Sequence, residues 1–192
     1  EKLAEKMWRD LPDFIDTDEI ILPMIDVSGS MYGNALQVAI SLGMYLAERN
    51  KSQFINTFLT FSERPQLIKI DHTQSLAEKF ASINQSEWGM NTNFERAYKT
   101  ILDLATKHNV DPKSMPSMLL CLSDMQFDDS GNGSLHLENI KYEYKAHGYE
   151  LPKLVFWDLE AHAGQPAECS DENVAMISGF SPAIMKAVLN AE

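Results

Sequence analysis

The chain has 192 residues, 44% of them hydrophobic and 23% charged, a length and balance suited to one large α/β domain rather than two small ones. Its net charge of −12, from 28 acidic against 16 basic residues, repels phosphate backbones and suits cations, so direct nucleic-acid binding is disfavoured. The two cysteines, Cys121 and Cys169, make neither a disulfide framework nor a zinc pattern, and no apolar run approaches the ~18 residues of a membrane helix.

Cys121 lies in an apolar run and reads as a small core residue. An intracellular, cytoplasmic protein is therefore expected. The chain opens on Glu1 rather than Met, which leaves room for an upstream signal or domain.

Residues 1–18 predict an N-terminal helical extension, because Leu3, Met7, Trp8 and Leu11 recur at helical spacing before an acidic turn. Residues 20–25 form an apolar run that stops at Asp26, the pattern of a buried parallel strand. Pro23 is expected to mark a bulge there, since a central strand rarely spares an N–H. Residues 31–50 predict a helix with Leu36, Ile40, Gly43, Met44 and Ala47 on one stripe.

Residues 54–61 and 67–70 alternate, and the short link between them permits only an antiparallel hairpin. Residues 74–85 and 93–108 read as helices, 118–122 as a buried strand, and 135–147 as a helix stopped by Gly148. Strands at 154–157 and 174–177 follow, then a closing helix at 182–189 with Pro near its start. Strands alternating with helices predict a three-layer, doubly wound, Rossmann-like α/β fold. Its sheet is expected to be six-stranded and mostly parallel, with one antiparallel edge strand.

Ligands of such sheets lie beyond the carboxyl ends of the strands, where the strand order reverses. Two predicted strands end near Asp26 and Asp124. Carboxylates brought together at a switch point repel unless a cation lies between them. Ser28 and Ser30 follow Asp26 at alternate positions of a tight loop, and their hydroxyls are hard oxygen ligands suited to Mg²⁺. Gly29 lets the backbone close around an ion. Serines also cap helices, and an aspartate can end a strand by chance. The whole D-x-S-x-S, set between an apolar strand and an amphipathic helix, is far more specific than either.

Asp26-Val27-Ser28-Gly29-Ser30-Met31 resembles the first motif of the metal-ion-dependent adhesion site of von Willebrand A (vWA) domains. Gly89-Met90-Asn91-Thr92-Asn93 is similar to the second, giving Thr92, and Leu122-Ser123-Asp124 to the third, giving Asp124. The resemblance covers about residues 20–190 and makes residues 19–192 a vWA-like domain. It implies Ser28 and Ser30 as direct ligands, joined by Thr92 when a partner is engaged, with Asp26 and Asp124 acting mainly through water and hydrogen bonds. It implies Mg²⁺, with Mn²⁺ or Ca²⁺ as alternatives. It also implies a protein partner that offers Asp or Glu to an ion kept electrophilic by neutral hydroxyls.

Further segments narrow the likeness. Trp88-Gly89-Met90-Asn91-Thr92-Asn93-Phe94, Ser123-Asp124-Met125-Gln126-Phe127-Asp128, Val155-Phe156-Trp157-Asp158 and Ser178-Gly179-Phe180-Ser181 look like an intracellular vWA-like branch. That branch is distantly similar to the vWA domain of Ro ribonucleoproteins, and it implies no established activity.

Other residues have plainer readings. Asp128, Asp129 and Asp158 fit either a metal rim or a polar turn, Trp157 fits the core, and Trp88 fits a contact surface or packing equally well. His72, His108, His136, His147 and His162 lack ligand spacing, and Gly131-Asn132-Gly133 is a turn. An aspartyl phosphatase would want a carboxylate where Ser28 stands, and no P-loop or serine-hydrolase elbow occurs. A non-enzymatic binding module is expected. Metal-assisted hydrolysis or phosphotransfer, and a place in an RNA–protein complex, are the alternatives.

Overall fold

The apolar run after residue 20 becomes the centre of a sheet. The computed structural model describes residues 2–13, 15, 18–27, 29–62, 64–84, 94–124, 137–159 and 174–178. In chain order the elements are α1 (Lys2–Arg9), β1 (Ile21–Asp26), α2 (Asn34–Glu48), β2 (Thr57–Phe61), β3 (Leu67–Lys69), α3 (Leu76–Asn84) and α4 (Phe94–Lys107). Then come β4 (Met118–Ser123), α5 (Leu137–Ala146), β5 (Lys153–Asp158) and β6 (Val174–Ser178). The expected closing helix at 182–189 lies outside the described residues.

Among the described residues, six strands run in the order β3-β2-β1-β4-β5-β6. All pairings are parallel except the β2–β3 hairpin at one edge. The order reverses between β1 and β4, so the switch point falls where Asp26 and Asp124 end or follow their strands.

Strand alternation divides the core into two layers. Ile21 and Ile25 of β1, Leu120 and Leu122 of β4, and Trp157 of β5 pack with Leu36, Ile40 and Met44 of α2 and Ile83 of α3. Leu22, Met24, Cys121 and Phe156 face the other way, onto Tyr98 and Ile101 of α4 and Ile140 and Tyr144 of α5. The predicted helical stripe of α2 is buried throughout. Gly43 belongs to it because a Cβ there would meet Ile25 Cγ1 at 2.8 Å.

Three local expectations are corrected. Pro23 makes no bulge: it pairs with Leu120 in an unbroken register, and the ladder to β2 begins only at Met24, past the proline. β2 starts at Thr57 because residues 54–56 are a turn. Asn50 Oδ1 accepts from Ser52 N–H, Ser52 Oγ accepts from Phe54 N–H, and Asn56 takes a left-handed φ of 58°. α2 starts at Asn34 rather than Met31, because Gly33 breaks the chain at φ 110° after the short 3₁₀ turn Gly29–Met31.

Ends elsewhere follow local chemistry. Ser75 and Glu78 form a reciprocal capping box on α3. Gly148, at φ 79°, closes α5, with Tyr149 N–H donating to Tyr144 O at 2.9 Å. The predicted N-terminal helix folds back on the domain. Trp8 Nε1 donates to Glu48 Oε2 at 2.9 Å, Lys79 Nζ lies 2.7 Å from Glu48 Oε1, and Glu5 accepts from the Leu76 N–H.

Candidate metal centre

The parallel register sets one row of residues across the carboxyl end of the sheet. Phe61 pairs with Asp26, Ser123 with Asp158, and Asp158 with Ser178. Ile25 pairs with Leu122, so Asp26 stands beside Ser123 one step further on. Ser123 Oγ donates to Asp26 Oδ2 at 2.6 Å, joining β4 to β1 at this level. Asp26, Ser123 and Asp158 are all buried. A buried carboxylate is tolerable only with donors or positive charge around it, and Ser123 supplies one donor.

Asp124 follows directly on Ser123 and is also buried. It is reached from the loop after β1, where Ser30 Oγ donates to Asp124 Oδ1 at 3.2 Å although 94 residues separate the two. The sulfur of Met31 accepts the Asp124 backbone N–H at 3.1 Å. Capping was the plain alternative for Ser30, yet α2 takes Gly33 as its N-cap and has no side-chain cap hydrogen bond. Ser30 is exposed, as is Tyr32 beyond it, at 85%.

Of the residues expected at the site, Asp26, Ser30 and Asp124 thus come to one edge, linked through Ser123. Ser28 and Thr92 lie outside the described residues, as do Trp88, Asp128 and Asp129. Phe94, two residues after Thr92 in the sequence, is held by Phe61 at 4.3 Å and Phe156 at 5.2 Å between ring centroids. Phe61 is the register partner of Asp26, so α4 begins beside the same strand ends.

Sequence reasoning missed two participants, Ser123 and Met31. The polar residue at the end of an otherwise apolar strand was the available signal for Ser123. Met31 gave none, since its apolar side chain reads as core. Asp158 is buried at the level of Ser123 rather than displayed on a rim, and Trp157 is core as expected.

Cys121 is buried as predicted, and burial, with the Asp26 charge adding, pushes its thiol well above the usual range. His72, His108 and His147 are exposed, while His136 and His162 lie outside the described residues.

Among the described residues, no three His, Cys, Asp or Glu side chains are grouped to hold a metal. Among the described residues, the oxygen donors that meet at this edge are the Ser30 hydroxyl and the Asp26 and Asp124 carboxylates. Those donors are hard oxygen, a chemistry that fits Mg²⁺ or Mn²⁺. Among the described residues, no helix is long and apolar enough to cross a membrane.

Comparison with known proteins bears on the whole of this architecture. The chain is similar in fold to the RO (RSR) protein of Deinococcus radiodurans, with a TM-score of 0.61 and 16% identity over 96% of this chain and 36% of that one. It is 30% identical over 199 residues to Uncharacterized protein L728 of Acanthamoeba polyphaga mimivirus, a match spanning all of this chain and 35% of the viral protein. Both relatives are therefore much longer than the part matched here. A family model described as a domain of unknown function, DUF7788, matches residues 21–192, from the first core strand onward. The chain belongs to the DUF7788 family.

Proposed function

We propose that this chain is a divalent-cation-dependent protein-binding module. Mg²⁺ held by Ser28, Ser30 and Thr92, with Asp26 and Asp124 behind them, would complete its coordination with an Asp or Glu from a partner. The observation that carries this reading is the Ser30–Asp124 contact of 3.2 Å, which joins two of the three motif loops. Exposure of Ser30 above the buried Asp26 and Asp124 supports an ion open to the partner on one side. Neutral hydroxyls offset little of the ion's charge and so favour capture of a carboxylate.

The test compares proteins captured from native lysate in Mg²⁺ and in EDTA, using the wild type and the Asp26→Ala variant. Capture should be lost in EDTA, return with Mg²⁺, and be absent from the variant. Identical capture in all conditions would overturn the reading. The fold likeness to the RO (RSR) protein favours one further reading, a place in an RNA–protein complex. At a net charge of −12, the contact would be with a protein component rather than with RNA.

A further inference from the structure

Met31 joins the two halves of the candidate site. It follows Ser30 in the 3₁₀ turn Gly29–Met31 and is fully buried, in the core layer that holds Ile25, Leu36, Ile40 and Leu122. Asp124 is gripped twice by this turn: its carboxylate accepts from Ser30 Oγ at 3.2 Å, and its N–H donates to Met31 Sδ at 3.1 Å. β4 ends at Ser123, so the buried Asp124 N–H has left the strand and needs an acceptor of its own.

A thioether is a weak acceptor and a poor ligand for a hard cation, so the sulfur has no direct role at a Mg²⁺ ion. Leucine would fill the same space without accepting the N–H. A polar residue would accept it but leave the apolar layer poorly filled. Methionine meets both demands.

We infer that Met31 is a positioning residue: its sulfur fixes the Asp124 main chain so that the Asp124 carboxylate and the Ser30 hydroxyl meet a common ion. The consequence for the ion rests on the function proposed above; the grip on Asp124 does not. The thioether acts on the aspartate, and the aspartate on the metal.

Met31→Leu tests this, because a volume-conserving swap is one that cores tolerate. Three quantities are read: the thermal midpoint, hydrogen exchange at the Asp124 amide without metal, and Mn²⁺ affinity by calorimetry. The midpoint should stay near that of the wild type, while the Asp124 amide exchanges ~10-fold faster and Mn²⁺ binds ~10-fold more weakly, the scale of a lost outer partner. Wild-type exchange at that amide, or wild-type Mn²⁺ affinity in the folded variant, would overturn the inference. If neither protein binds Mn²⁺, the metal reading fails, and the amide exchange alone decides whether Met31 holds Asp124. Should Met31→Leu not fold, norleucine in place of methionine removes the sulfur with little change of shape and gives the same readout.

Discussion

Ser123 donates its hydroxyl to Asp26 at 2.6 Å across β4 and β1, two residues 97 positions apart in the chain. The bond sits at the switch point of the sheet, between the strand that leads into the D-x-S-x-S loop and the strand that leads into Asp124. It fixes the base of the site before any ion is considered.

Replacing Ser123 by Ala removes a donor from a buried carboxylate. Hydrogen bonds to charged groups contribute about 1.5–3 kcal/mol, so Ser123→Ala should lower the stability measured by urea unfolding by about 2 kcal/mol. A loss within the error of the measurement would mean that the bond contributes little to holding β1 and β4 in step.

Gly43 lets α2 lie close over β1. An added Cβ would meet Ile25 Cδ1 at 2.5 Å and Cγ1 at 2.8 Å, and Ile25 is fully buried one residue before Asp26. Gly43→Ala should therefore cost about 1–3 kcal/mol by overpacking, against the gain of about 1 kcal/mol that Ala normally brings to a helix. A variant about 1 kcal/mol more stable by thermal unfolding, the full helix gain with no overpacking cost, would contradict this close approach.

Alkaline pH tests the other core layer. Burial, then the charges of Tyr98 and Asp103, push the Tyr144 phenol far above its ordinary value of 10.0. Below that pH both states keep the proton. Above it the unfolded chain loses the proton while the folded one holds it, so stability falls as pH rises. Between pH 10 and 11 the fall should reach up to ~1.4 kcal/mol per unit for this group, and Tyr144→Phe should make the slope shallower by that amount. An unchanged slope in the variant would show that the phenol is not shielded.

Glu48 ties α1 to the domain through Trp8 and Lys79. Glu48→Ala should free the helix without disturbing the sheet edge. The expected signs are a red-shifted Trp8 emission and faster exchange of the α1 amides, with β1 and β4 amides unchanged. Exchange that rises across all elements alike would place Glu48 in the global fold instead.

The parts of this structure legible in the sequence are those set by hydrophobic period. Apolar runs at β1, β4 and β5 announced buried parallel strands, and the Ser-Glu-Arg-Pro link announced the antiparallel hairpin. Asp26 and Asp124 stood out because each follows such a run. The turn before β2 was not legible, since it depends on Asn50 and Ser52 side chains bonding to the backbone of an otherwise β-rich stretch. Pro23 misled because the rule against proline in central strands assumes pairing on both sides from the first residue, and here β2 joins only at Met24. Ser123 and Met31 act through contacts between segments more than 90 positions apart, which periodicity along one segment cannot register.

The central claim is most directly tested by titrating Mn²⁺ into the metal-free wild type and into Ser30→Ala, followed by calorimetry. Ser30 is exposed and caps no helix, so the variant should still fold, with a thermal midpoint lowered only by the lost hydrogen bond to Asp124. A single saturable site in the wild type, weakened by an order of magnitude or more (~10-fold) in Ser30→Ala, is the result predicted for a direct hydroxyl ligand. No saturable binding by the wild type, or equal affinity in the two proteins, would contradict a metal centre built on this loop.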